Sequence, residues 1–465
     1  MKTVNRLNKE MKTWSFMLLC VLSLGLTACS DDKDEEVKLC QLTVQLSGID
    51  PFEGAVVELR NSAGSGAAAY TATTNTQGLV VFEVPSGIYE ATTTGTLIQG
   101  DSYYVYNGVR SEIVATAGQA QTVSLDVTYT RMRSTDQILI KEVYNGGVMT
   151  DDGSKAFYYD KYIVLYNNCP QASSLDNLCI GIAASYNAEA ATVDKLYDNN
   201  GELVYKADNF IPAQNGIWYF PATLTIEPYS QVVVNIHGAI DNTQTVSKSV
   251  NFANADYYCM YDPTYEGGGS SASNNFYNNT SYYPAPADVI PTSHYLKTVK
   301  VGQGNAWPIS NTSPAIFIFQ TKDTTPTAYG ENADNLWYVP GYAQSNVWAC
   351  VKVKNDWILD GVEVFNAAKL DACKKRLTAD IDAGHVNLTN QLGHSLYRNV
   401  NKEATEALPE NEGKLVYSYA LGVDASTDPS GIDAEASIKN GAHIVYQDTN
   451  NSTADFHERQ RCSLK

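Results

Sequence analysis

Apolar and polar positions alternate along residues 40–130 in short runs broken by turn residues. "CQLTVQL" begins at Cys40 and "AVVELRN" at Ala55, and "TQGLVVFEVPSGIYEATTTG" carries two further runs punctuated by Gly78 and by Pro85-Ser86-Gly87. "QTVSLDVTYT" (121–130) closes the series. A period of two puts every second side chain on one face of a pleated strand, and strands recurring every ~10 residues between polar turns predict a β-sandwich. The module runs over residues 38–132.

From residue 134 to residue 465 the runs change character. "QILIKEVYNGG" (137–147), "DKYIVLYNNC" (160–169), "LDNLCIGI" (175–182) and "IEPYSQVVVNIHGA" (226–239) still predict strands, and "QLGHSLYR" (391–398) and "DTNNSTADF" (448–456) follow much later. One stretch departs from the strand pattern: Asn366–Leu377, whose apolar positions 367, 370 and 377 share one face of a short helix. The expectation is an all-β chain of two β-sandwich modules with one short helix.

Particular motifs resemble known families. Gly54-Ala55-Val56-Val57-Glu58-Leu59, Thr73-Thr74-Asn75-Thr76-Gln77-Gly78 and Val84-Pro85-Ser86-Gly87-Ile88-Tyr89 resemble the carboxypeptidase-regulatory or prealbumin-like fold. That likeness implies no chemistry, because such modules space, stiffen or bind. The ordered motifs of the second region resemble the lamin-tail domain, an immunoglobulin-like sandwich, here lengthened by long insertions. Within it, "IPTSHYLKTVKVGQGNAWPISNTSPAIFIF" (290–319) and "WILDGVEVFNAAKLDACKKRL" (357–377) resemble an uncharacterised family of bacterial surface lipoproteins, a domain of unknown function with no assigned reaction.

The start of the chain fits that likeness. Lys2, Arg6, Lys9 and Lys12 precede an apolar run, Trp14–Leu26, too short to span a membrane permanently and suited to a cleaved signal. Leu26-Thr27-Ala28-Cys29 resembles the lipobox of bacterial lipoproteins, which implies that residues 1–28 are removed and that Cys29 carries the lipid. Several acyl chains anchor firmly where a single one is marginal. Ser30-Asp31-Asp32-Lys33-Asp34-Glu35-Glu36, within the tether 29–37, is a solvated acidic linker. It also resembles the surface-export signal of certain Gram-negative lipoproteins, which implies the outer membrane facing the exterior ahead of the periplasmic face.

Charge narrows the partners. The chain carries −19, and the leader holds four basic residues and one acidic, so the mature protein stands near −22. Nucleic acid is a poor partner for it, since such binding rests on basic patches. Of nine cysteines, Cys20 leaves with the leader and Cys29 is lipidated; seven remain, and an odd number cannot pair completely within one chain. Cys169 and Cys179, flanking "CPQASSLDNLC", are either a local disulfide or two buried thiols.

No nucleophile elbow, zinc-protease helix, P-loop or dinucleotide fingerprint occurs, so no catalytic, cofactor-binding or metal residue is assigned. His237, His294, His385, His394, His443 and His457 are scattered singly, the pattern of structural histidines. The stretch from Asp448 starts like a calcium loop but has Thr453 where Gly is required and Arg459 where Glu is. Asp151, Asp152 and Asp160 form either a loose calcium site or a polar hairpin loop. Asp360 and Glu363 are the carboxylates a glycan hydrolase would need, although an offset of three on a strand puts them on opposite faces. The segment 257–288 is rich in Tyr, Asn, Gly and Ser, the composition of binding loops, and Tyr257, Tyr258, Tyr261, Tyr265, Tyr277, Tyr282 and Tyr283 are its candidate contacts. The expected function is therefore that of a lipid-anchored binding protein, accessory to an outer-membrane nutrient-uptake receptor or adhesive toward a surface glycan. A glycan-directed hydrolase is the alternative.

Overall fold

In the computed structural model, residues 38–62, 69–99, 102–133, 138–264, 284–302, 309–342, 344 and 348–465 are described. Cys29, the acidic tether and Tyr265, Tyr277, Tyr282 and Tyr283 lie outside them. The fold is all-β.

The first sheet comprises β1 (Cys40–Ser47), β2 (Val56–Asn61), β3 (Ala69–Thr73), β4 (Leu79–Val84), β5 (Gly87–Gln99), β6 (Ser102–Ala115) and β7 (Ala120–Arg133), in the order β3-β2-β5-β6-β7-β1-β4. All neighbours are antiparallel except β1 and β7. One core gathers Leu42 and Val44 of β1, Val57 and Leu59 of β2, Phe82 of β4 and Leu125 of β7. Side chains from both ends of the strand order meet there, so the sheet closes over itself. Its outer face meets solvent, which is why burial along β1 alternates residue by residue.

The remainder is layered more deeply. One six-stranded sheet runs in the order Tyr258–Cys259, Gln231–His237, Lys161–Asn167, Ile138–Tyr144, Ser395–Arg398, Phe456–Arg459. A second runs Lys297–Lys300, Gly216–Tyr219, Leu178–Ile182, Ala315–Gln320, Ile358–Asn366, Val386–Leu388. Ile140, Ile163, Val234 and Leu396 of the first interlock with Ile180, Trp218, Ile318 and Val364 of the second. The second sheet's other face packs Cys179, Phe317 and Phe319 against Phe210, Ile211, Val351 and Val353 of a three-stranded sheet. The first sheet's other face is covered too, Tyr166 and Tyr397 by Val400, Ile432 and Ile444, and Tyr162 and Val164 by Phe252. With both faces covered, every residue of Ile138–Tyr144 and of Lys161–Asn167 is buried.

Two expectations change. The helix predicted over Asn366–Leu377 is a shorter 3-10 helix, Ala367–Ala372, interrupted at Lys369 and ending before Cys373. Arg376 and Leu377 instead direct their backbone N–H groups, each at 2.8 Å, to the Glu363 carboxylate. The disulfide alternative for Cys169 and Cys179 is also corrected: among the described residues no disulfide forms. The two side chains are buried in separate clusters, Cys169 beside Tyr166 and Val400, Cys179 beside Phe317 and Phe319.

Candidate functional site: a groove at the open edge of the sandwich

Val386–Leu388 and Phe456–Arg459 are the last strands of their respective sheets. Between these two edges lies a groove of about 680 Å³, and the turn around Val423–Thr427 forms its other wall. An exposed strand edge ordinarily offers unpaired backbone groups. Side chains occupy the backbone groups that flank the strand Val386–Leu388: the N–H of His385 donates to Thr453 Oγ1 at 3.0 Å, Thr453 Oγ1 donates to His385 O at 2.8 Å, and the N–H of Thr389 donates to Glu458 Oε1 at 2.7 Å. The wall is held in the same way, with Val423 N–H on Glu458 O at 3.1 Å and Glu458 N–H on Ser426 Oγ at 2.8 Å.

The floor rests on a buried cation. Arg398, 1% exposed, lies under the Phe456 ring with its guanidinium carbon 4.5 Å from the ring centroid. It donates to Ile140 O at 2.8 Å, to Gln447 O at 3.0 Å, to Asp448 at 3.1 Å and to Asp360. That set ties the turn 448–456 to the central strand of the first sheet. His457 is also fixed. Burial first, and then the nearby positive charge of Arg459, push its pKa down to about 3, so the ring is neutral. Asn399 donates its Nδ2 to Ala454 O at 2.7 Å, leaving Oδ1 to accept from His457 Nδ1–H at 2.7 Å. The other nitrogen, Nε2, therefore accepts from the Tyr419 hydroxyl.

Along the groove, Asn387 supplies an amide and Thr389, Ser426, Thr427 and Thr453 supply hydroxyls, while Val386, Val423, Pro429 and Phe456 supply apolar surface. His385 stacks on Phe365 at 4.0 Å, and burial lowers its pKa. The ionisable acids of the lining are Asp424 and Glu458, and neither Lys nor Arg lines it.

The residues singled out in the sequence fall elsewhere. Asp360 is 3% exposed and bound to Arg398, and Glu363 is fully buried and paired with Arg376 at 2.7 Å. Both are sealed from solvent, so neither can hand a proton to a glycosidic oxygen. Asp151 accepts from Ser247, Asp152 from Thr150 and Ser154, and Asp160 from Ser249 and Tyr144, and among the described residues no group of acidic, His or Cys side chains could hold a metal. Tyr258 stacks on His294 at 4.1 Å, Tyr261 meets the edge of Tyr295 at 5.6 Å, and Tyr257 packs against the cluster of Tyr162 and Phe252, so all three are engaged in packing. By contrast His385 and His457 line the groove, and His394 reaches its wall through Glu458 at 2.7 Å. The available sequence signal was His394 just before the run Ser395–Arg398 and His457 within Phe456–Arg459, two strands that prove to pair, His457 opposite Tyr397.

The sequence matches a family described as proteins of unknown function, DUF4876, over residues 227–418. No curated protein matches. A crystal structure of a DUF4876 family protein from Bacteroides thetaiotaomicron is similar in fold, with a TM-score of 0.60, 18% identity, and coverage of 90% of this chain and 94% of that one.

Proposed function

We propose that this protein is a lipid-anchored binding protein of the bacterial cell surface and that the edge groove holds a neutral, polyhydroxylated ligand, a surface or dietary glycan. The observation that carries the reading is the lining: a side-chain amide and several hydroxyls interleaved with apolar surface, without Lys or Arg, in a groove of about 680 Å³. Sugars present hydroxyls at their rims and C–H patches on their faces, and such a mixed wall serves both. A phosphate or carboxylate ligand would meet Asp424 and Glu458 with no compensating cation. The anchor is argued from Leu26-Thr27-Ala28-Cys29 and the exterior face from the acid behind it; delivery to an outer-membrane uptake receptor, or adhesion, follows from that placement.

A glycan array probed with the chain lacking its leader tests the groove. Retention of neutral glycans by the wild type, and its loss in Asn387→Trp, whose exposed side chain would fill the groove, is the expected result. Equal retention by both proteins would remove the groove from consideration. For location, Asp31–Glu36 replaced by alanine should protect the protein from protease added to intact cells, whereas unchanged degradation would leave the acid as a tether alone.

A further inference from the structure

Among the described residues three aromatic rings line the edge groove, and one of them is open to a ligand. His457 is 1% exposed, and Phe456, 4% exposed, has the Arg398 guanidinium against it. His385 is half-buried. One face of its imidazole lies on Phe365, the ring centroids 4.0 Å apart and the planes 17° from parallel, and the buried Phe365 is not part of the lining. What His385 shows to the groove is therefore its edge and its opposite face. Its backbone N–H and carbonyl are both taken by Thr453 Oγ1, which fixes the residue in place. Burial first, and then the charge of Lys375, lower its pKa, so at neutral pH the ring is uncharged and its face carries the negative π surface that attracts C–H groups. The two acids of the lining divide in the same way. Glu458 has both carboxylate oxygens engaged, Oε1 with the Thr389 N–H and with His394 Nδ1, each at 2.7 Å, and Oε2 with Thr389 Oγ1 at 3.2 Å. Asp424 is exposed, on the facing wall, in the turn that Ser426 N–H closes on Val423 O at 2.8 Å, and no described residue donates to its carboxylate.

We infer that His385 and Asp424 are the specificity-determining residues of the groove, His385 as the platform for the C–H face of a pyranose ring and Asp424 as the acceptor for two of its adjacent hydroxyls. This rests on the glycan reading of the groove and narrows it to sugars with an unsubstituted C–H face and a free vicinal diol. Both halves of the match come from the ligand's own chemistry. The axial C–H groups of a pyranose form an apolar patch that a backed, neutral ring meets without desolvating a charge. Its neighbouring O–H groups donate to the two oxygens of one carboxylate, and hydrogen bonds to an ionised acceptor are about twice as strong as neutral ones.

An array of neutral hexose oligosaccharides, each printed beside its per-O-methylated form and probed with the chain lacking its leader, tests it. The wild type should retain the free oligosaccharides and not the methylated ones, which keep their C–H groups and lose every hydroxyl donor. His385→Ala should lower retention about tenfold, and His385→Phe, which keeps a ring on Phe365, should restore it. Asp424→Asn, a residue that tolerates the φ of 48° found there, should also lower it about tenfold, the weight of a charged hydrogen bond. Retention that Asn387→Trp abolishes but that either His385→Ala or Asp424→Asn leaves intact would overturn this inference and keep the groove. A His385→Phe protein as weak as His385→Ala, or equal retention of the methylated forms by the wild type, would overturn it as well. No retention of any neutral glycan by the wild type would overturn this inference and the glycan reading together.

Discussion

At the scale of single residues, the strongest commitments are charges taken out of water. Glu363 receives Arg376 Nε at 2.9 Å and Nη2 at 2.7 Å, and its second oxygen receives two backbone N–H groups. Arg376 completes its donors on Ser185 O and Ser313 O. Removing one partner strands the other in a low-dielectric interior, which costs about 3–5 kcal/mol, more than the pair contributes over an apolar replacement. Arg376→Ala should therefore lower urea stability by about that amount, and Arg376→Met with Glu363→Met should lose less than the single variant. His457 gives a pH-dependent counterpart. Its folded pKa, about 3, lies below its ordinary 6.5, so on acidification the unfolded chain takes up a proton that the folded chain refuses. The stability this neutral ring confers is complete above pH ~6.5 and is lost as pH falls from there toward 3. His457→Gln keeps an acceptor for Tyr419 without that titration, so the gap in melting temperature between wild type and variant should narrow from pH 8 to pH 5. A gap that does not change would show that the ring is not held neutral. Sequence could flag Glu363 as an unusual acid in an apolar run but not its role, because the arginine that neutralises it lies beyond a break in helical geometry and the carbonyls that position that arginine belong to loops far away in sequence.

At the scale of elements, legibility depended on whether one face of a strand meets water. The alternation in β1, "CQLTVQL", survives because its sheet has a solvent face. In Leu178–Ile182 every residue is buried between two layers, so the run identifies a strand and conceals which side chain points where. Gly181 is the position where that matters most. It stands opposite Phe317, and a Cβ there would lie 2.3 Å from the Phe317 ring carbon Cζ, closer than any real contact. The ring is fully buried with no room to retreat, so Gly181→Ala should cost about 1–3 kcal/mol by overpacking, measured by chemical denaturation. A neutral result would mean that the layer above is looser than its burial indicates. The groove was the least legible element of all. Its walls come from residues near 385, 399, 426 and 457, and the linking of two sheet edges by Thr453 and Glu458 is a tertiary event with no local signature. The tyrosines that looked most like a binding surface from composition include three whose rings are used to fix neighbouring segments, the common fate of an amphipathic ring beside a core.

At the scale of the whole molecule, the cores divide where the sequence pattern changes. Every member of the cluster formed by β1–β7 lies between Cys40 and Val127, and every member of the other clusters lies at Ile138 or beyond. Cooperativity in unfolding is carried by shared burial, so two cores that exchange no side chains among the described residues should melt as two units. Leu42 and Val362 are both fully buried, one in each core, and truncating either to alanine removes apolar contacts from its own unit alone. Calorimetry should then show two transitions in the wild type. Leu42→Ala, a loss of about 2–5 kcal/mol, should lower one of them by on the order of 10 °C or more for a module of this size while leaving the other in place. Val362→Ala should do the converse. A single transition displaced as a whole by either variant would mean that the first module is braced against the rest, and a tethered spacer would then be the wrong description of it. Two independent transitions would fit the proposal of a small module that holds the layered sandwich, with its groove at an open edge, away from a lipid anchor on Cys29.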